Sequence, residues 1–183
     1  MRSPAIPVPA MALLAAIAVC GLAAPGAAQP APHAGDIPQA MRVEHENTLQ
    51  QLTALSRRHG PVGVEARKAL ALFKQHLQRE EEFILPPLTL LGDLADGKVS
   101  PDMKWAIAMA DRVKTEREKT YQEHTQITDA MNALAAAART AHDAAALEFA
   151  QAAVADSLTD LELIEPMSIV IGDYLKAKLP PGP

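Results

Sequence analysis

Beyond its first 28 residues the chain contains no cysteine; the only one, Cys20, falls in an apolar stretch near the start. A disulfide framework and a thiolate metal ligand are both excluded for the body of the protein. Aromatic residues are scarce at 3%, and no run alternates polar with apolar residues, so nothing in the pattern builds a sheet. Basic patches are absent too, and the formal charge is −5, which argues against nucleic-acid binding. No nucleophile stands beside a recognisable general base, so hydrolytic catalysis has no support.

The start of the chain reads as an address. Arg2 precedes an apolar run from Met11 to Ala24, followed by small residues around Gly26-Ala27-Ala28. The run is too short for a spanning helix and fits a secretory signal peptide, residues 1–28, cut near Ala28. A rival reading makes Cys20 a lipidated first residue, but Val19 just before it fits that poorly. The expectation is export to the periplasm or the medium, with no transmembrane segment after processing. Residues 29–36 read as a flexible lead-in. The remaining 155 residues suffice for one domain with its own core, and losing Arg2 takes the formal charge to −6.

Alanine and leucine dominate the body of the chain, and four helices are expected. The first spans about 38–58, with Asp36 near its N-cap. His59-Gly60-Pro61 stops it, with His59 as a C-terminal residue favoured by the helix dipole. The second spans about 64–91 and is bent or broken at Pro86-Pro87. The third opens on Ser100-Pro101-Asp102, a cap followed by proline, and ends near Ala138. Thr140-x-x-Asp143 resembles a capping box for the fourth, which carries His142 in its first turn and runs to about Lys178 with Pro166 inside. Residues 179–183 are left as a tail. Short connections imply an all-α, up-down-up-down four-helix bundle over 37–178. A weak internal repeat runs through it: His76, Glu80 and Pro86 share their spacing with Asp156, Asp160 and Pro166.

Each expected helix carries a metal-ligand type on its apolar face. His45 aligns with Met41, Leu49 and Leu52. His76 and Glu80 are four apart, so they stack on one face together with Ala69, Leu72, Phe73 and Phe83. His124 aligns with Ile127 and Met131. Asp156 and Asp160 fall in an arc with Phe149, Ala153, Leu163, Ile164 and Met167. Buried imidazoles and carboxylates are costly unless something pairs with them, and a metal ion would. Nitrogen and oxygen ligands without sulfur suit iron, manganese or zinc, and a central carboxylate can bridge two ions.

This arrangement resembles the hemerythrin-like (HHE cation-binding) family: a four-helix bundle with a lone histidine on the first helix, His-x-x-x-Glu on the second, a histidine on the third and His-x-x-x-Glu on the fourth. His45 in Val43-Glu-His-Glu-Asn47, His76 and Glu80 before Leu85-Pro86, and His124 in Gln122-Glu-His-Thr-Gln-Ile127 match the first three. The resemblance implies a non-haem, carboxylate-bridged di-iron centre that binds dioxygen or another diatomic, or handles iron. The chain departs from the family on the fourth helix, where Asp156 and Asp160 stand for His and Glu, and on the third, where Thr128 replaces the second histidine of the oxygen carriers. Three outcomes stay open: a carboxylate-rich di-metal site, a single ion held by His45, His76, Glu80 and Asp160, or a relic without metal. A binding protein is expected rather than an enzyme, with oxidase or peroxidase chemistry at a metal left open. The runner-up is a metal-free helical interaction protein of a bacterial envelope.

The other polar residues have plainer readings. Asp156 and Asp160 also fit a solvated helix face, and Arg117 could neutralise them in place of a metal. Glu81 and Glu82 point away from the His76 face, with Glu81 able to reach the site if the helix rotates. Tyr121 is expected to pack in the core, and the methionines at 41, 103, 109, 131 and 167 to fill it.

Overall fold

Six α-helices joined by short π- and 3₁₀-helical turns make up the computed structural model, which describes residue 33 and residues 35–180; these residues contain no strand. The helices are α1 (Gln39–Ser56), α2 (Gly60–Arg79), α3 (Leu91–Ala95), α4 (Trp105–Thr140), α5 (Ala144–Thr159) and α6 (Glu165–Lys178). The expected signal peptide, its cleavage point and Cys20 lie outside the described residues. None of the described helices is long and apolar enough to cross a membrane.

Helix α1 follows extended Pro38 and has no side-chain cap; the Asp36 carboxylate instead accepts from the His33 N–H at 2.9 Å. His59 does not end α1 as expected. It is the extended N-cap of α2, and Gly60 beside it has φ +81°, which only glycine adopts without strain. The face of α2 buries Val62, Ala66, Ala69, His76 and Leu77, a spacing of three and four that keeps one stripe inward.

The second helix does not stop at its prolines but changes pitch before them. Glu80–Ile84 forms a π-helical turn in which the Leu85 N–H donates to the Glu80 carbonyl at 2.8 Å. Pro86 has no N–H and its ring clashes with the carbonyl four residues back; the wider turn removes that conflict. A 3₁₀ turn over Pro86–Leu90 leads into α3. The fourth expected helix repeats the device. Asp160–Ile164 is again a π turn, the Glu165 N–H donates to the Asp160 carbonyl, and Pro166 follows in the first turn of α6. The sequence repeat is thus a structural repeat.

Two expected caps are corrected. Ser100 makes no capping hydrogen bond, and Pro101–Lys104 is a 3₁₀ turn ahead of α4. Thr140 is the last residue of α4, while Asp143 is itself the N-cap of α5, accepting from the Ala146 N–H at 3.2 Å. His142 lies in the connection between them with φ 54°, before α5 rather than in its first turn.

Helix α4 packs against α2 on one side and against α5 and α6 on the other, and α1 packs against α2. Small residues set the spacing: a Cβ on Gly172 of α6 would come within 2.2 Å of the Ala110 Cβ of α4. One apolar cluster gathers Leu52, Ala69, Met131, Leu134 and Phe149. Another gathers Leu90, Ala106, Ile171 and Leu175. Leu179, expected in a free tail, is buried in the second. Between the two clusters along α4 come the buried polar residues Thr120 and His124, so the core has a polar layer at mid-height.

Candidate metal centre

Glu80 lies at the centre of that polar layer, 1% exposed. It is the first residue of the first π turn, so the change of pitch begins at this buried carboxylate; such turns recur at functional sites. One carboxylate oxygen, Oε2, stands 3.3 Å from Nε2 of His45 on α1. The other, Oε1, stands 3.2 Å from Nε2 of His76 on α2. His124 of α4 completes the layer, its ring edge-on to His76 with centroids 4.3 Å apart. Asp160 opens the second π turn. Ligand atoms of His76, Glu80, His124 and Asp160 all lie within 4.8 Å of one another.

Two of the three outer nitrogens have partners that orient the rings. His45 Nδ1 faces Glu81 Oε1 at 3.1 Å, and His124 Nδ1 is 2.9 Å from Ser157 Oγ, which also accepts from Thr128 Oγ1 at 3.4 Å. His76 Nδ1 is buried without a hydrogen bond; the Glu123 carboxylate stands 3.8 Å from it and 2.9 Å from Arg79 Nε. A ligating imidazole is held this way, one nitrogen fixed by a carboxylate or hydroxyl and the other turned to the ion.

The inner atoms are unsatisfied. His124 Nε2 and Glu80 Oε1 are buried and make no hydrogen bond of acceptable geometry, which costs a protein about 1–3 kcal/mol for each such group. These orphans, with two carboxylates and three imidazoles in one layer, fit a bound cation. The four-residue group can hold a metal ion.

The electrostatics divide the layer. Burial alone would lower the affinity of His45 for a proton, but Glu80 and Glu81 outweigh it and raise its pKa to about 9. Burial opposes protonation of His76 as well, and Glu80 again prevails. Glu80 is held well below the usual carboxylate range by those two histidines, against the effect of burial. Burial, then the charge on His76, takes His124 down to about 4. Burial, then the charge on Glu80, pushes Asp160 up to about 8. At neutral pH Asp160 therefore keeps a proton that a cation would displace.

The sequence-predicted residues fall into three groups. His76, Glu80, His124 and Asp160 meet. His45 joins them through Glu80, close to its second oxygen. Asp156 does not enter the group; it is exposed at the rim of a cavity of about 20 Å³ that reaches His76, His124 and Asp160. Arg117 is exposed and borders a different cavity, with Glu165. Tyr121, expected in the core, is 57% exposed, and Leu163 of the expected apolar arc is equally so.

Residue-by-residue reading of the sequence missed three neighbours of the site and one buried carboxylate outside the group. Glu44 reaches within 3.6 Å of His45 Nε2, although a neighbour in sequence points about 100° away on an ideal helix. Glu123 and Ser157 likewise adjoin named candidates, and only the packing of α2 against α4 and α4 against α5 makes them partners. Glu165 is 2% exposed with an unpartnered oxygen; its place just before Pro166 gave no sign of burial. Compared with models of known families, with curated proteins and with solved structures, the chain gives no match.

Proposed function

We propose that this chain is an exported, hemerythrin-like up-down-up-down four-helix protein holding a non-haem di-iron centre. Its work would be to bind dioxygen, another small diatomic, or iron itself. The observation that carries the reading is Glu80: one buried carboxylate whose two oxygens each face the Nε2 of a histidine from a different helix. That is the disposition a bridging carboxylate needs. His76, His124 and Asp160 would hold one ion with Glu80. His45 and the other Glu80 oxygen would hold the second. Asp156, at the rim, would reach the centre only as a more distant ligand. Bound iron would supply redox chemistry and an affinity for diatomics; the chain supplies orientation of His45 through Glu81 and of His124 through Ser157.

The test is metal content and the visible spectrum of the mature chain, produced with iron and then exposed to oxygen. About two irons per chain, with an absorption band that responds to oxygen, is the expected result for a carboxylate-bridged pair. One iron would leave a mononuclear site.

A second reading, a metal-free helical interaction protein, is favoured by one observation: His45 and His76 can neutralise Glu80 with protons alone. It predicts no bound metal, and stability unchanged or improved when His45, His76 and Glu80 are replaced together by leucine.

A further inference from the structure

We propose that Glu44 and Asp156 form the entry site through which a divalent cation reaches the buried cluster. This rests on the metal-binding reading above and adds a route to it. The cavity beside the cluster is lined by exposed Asp156, half-buried Asp160, and buried His76 and His124. His124 Nε2, in a residue 1% exposed, has no hydrogen-bond partner. It is a nitrogen donor at the inner end of a path whose outer end is acidic.

The volume, about 20 Å³, is room for roughly one water. A fully hydrated cation exceeds it, so an incoming ion has to exchange water for protein oxygens as it passes. Glu44 and Asp156 supply those oxygens. Glu44 is held for the purpose: Thr48 Oγ1 donates to its Oε1 at 3.0 Å, its Oε2 is 3.6 Å from His45 Nε2, and its side chain is 36% exposed. One carboxylate thus lines the cavity and lies beside His45. Among the described residues, no lysine or arginine lines this cavity. A second cavity, lined by Tyr121, Leu158, Glu162 and Glu165, also carries Arg117, whose charge opposes a cation. An acidic mouth over a low-dielectric interior raises the local cation concentration and the rate of capture.

The experiment follows uptake of Co²⁺ by the chelator-stripped full chain in stopped flow, using the visible absorption of the bound ion, with equilibrium dialysis for stoichiometry. Glu44→Gln/Asp156→Asn is expected to load about tenfold more slowly, the scale of electrostatic steering, with the same final Co²⁺ per chain. Its rate should also depend less on salt than that of the unaltered chain. Glu44→Asp/Asp156→Glu, which keeps the charges, should recover most of the rate. Glu165→Gln, at the other cavity, should load normally. An unchanged rate in the double amide variant overturns the entry site, as does slowing in Glu165→Gln alone. A fall in stoichiometry would make the two residues ligands and overturn the transit role. If the unaltered chain takes up no Co²⁺, the metal-binding reading fails and the entry site with it.

Discussion

Glu80 and Asp160 hold the same place in the two halves of the repeat: each lies four residues after a ligand-type residue, opens a π turn and precedes a proline by six. Their charges behave in opposite ways. Glu80 is pulled below the usual carboxylate range because two histidines face its oxygens. Asp160 has no histidine of its own, and burial and the charge on Glu80 push it up to about 8. The repeat provides the same backbone twice, and the residue one turn earlier, His76 or Asp156, decides whether the buried charge is compensated. One half can balance itself with protons. The other is balanced only by retaining a proton or gaining a cation.

The largest test of this contrast is truncation of each carboxylate in turn. Glu80→Ala leaves His45 and His76 buried without the carboxylate charge that faces them and is expected to destabilise the metal-free protein by about 3–5 kcal/mol. Asp160→Ala removes a group that is unfavourable when charged, so its stability loss should be far smaller. Denaturant titration of both variants without metal checks the ranking, and equal losses would break the comparison.

The second test separates the halves by outer partners. Ser157→Ala removes the hydroxyl that orients His124 and should weaken metal binding about 10–100-fold, measured by competition with a chelator. Folding should lose about 1–3 kcal/mol, because the buried His124 Nδ1 is left without a partner.

The third test uses pH. The folded chain retains protons on Asp160 and His45 above their unfolded pKa values, so the metal-free native state binds more protons than the unfolded state. Stability contributed by His45 is fully present below about 6.5 and is lost as pH rises through about 9. For Asp160 the native state gains on the unfolded one as pH falls, and stability declines as pH rises from about 4 to about 8. Urea midpoints of the metal-free protein should therefore fall between pH 6.5 and 9, less steeply in Asp160→Asn. Metal affinity should move the other way and rise with pH over that range, as ligands lose protons.

The smallest effect is a control remote from the centre. Asp143→Ala should cost about 1 kcal/mol through the lost cap of α5 and leave metal binding unchanged. Thr140→Ala, whose hydroxyl only bonds back to the Ala136 carbonyl, should cost less than that. Thermal melts of the two variants decide which residue caps the helix.

Much of this architecture was legible beforehand. The three-and-four spacing of Ala66, Ala69 and His76, and of His124, Ile127 and Met131, set which faces turn inward, because a helix has one periodicity whatever it packs against. That put His45, His76, Glu80 and His124 on buried faces, where they are found. The π turns were not legible. A proline announces only that the regular ladder cannot continue, and kink, 3₁₀ turn and bulge all satisfy that requirement. The bulge matters, since it shifts the face of everything beyond it. Leu163 emerges to solvent and Glu165 is drawn inside, contrary to the arc read through an unbroken helix.

The sequence by itself determined the helical class, the inward faces, the repeat around the two prolines and the inventory of donors, because each of these depends on local spacing and side-chain chemistry. Tertiary structure alone decided which donors meet. Glu80 lies between His45 and His76, Asp156 stays at the rim while Asp160 enters, and Glu44, Glu123 and Ser157 become partners. These depend on how the helices are rotated and set against one another, a quantity that packing of small residues such as Gly172 on Ala110 fixes and that no single helix encodes.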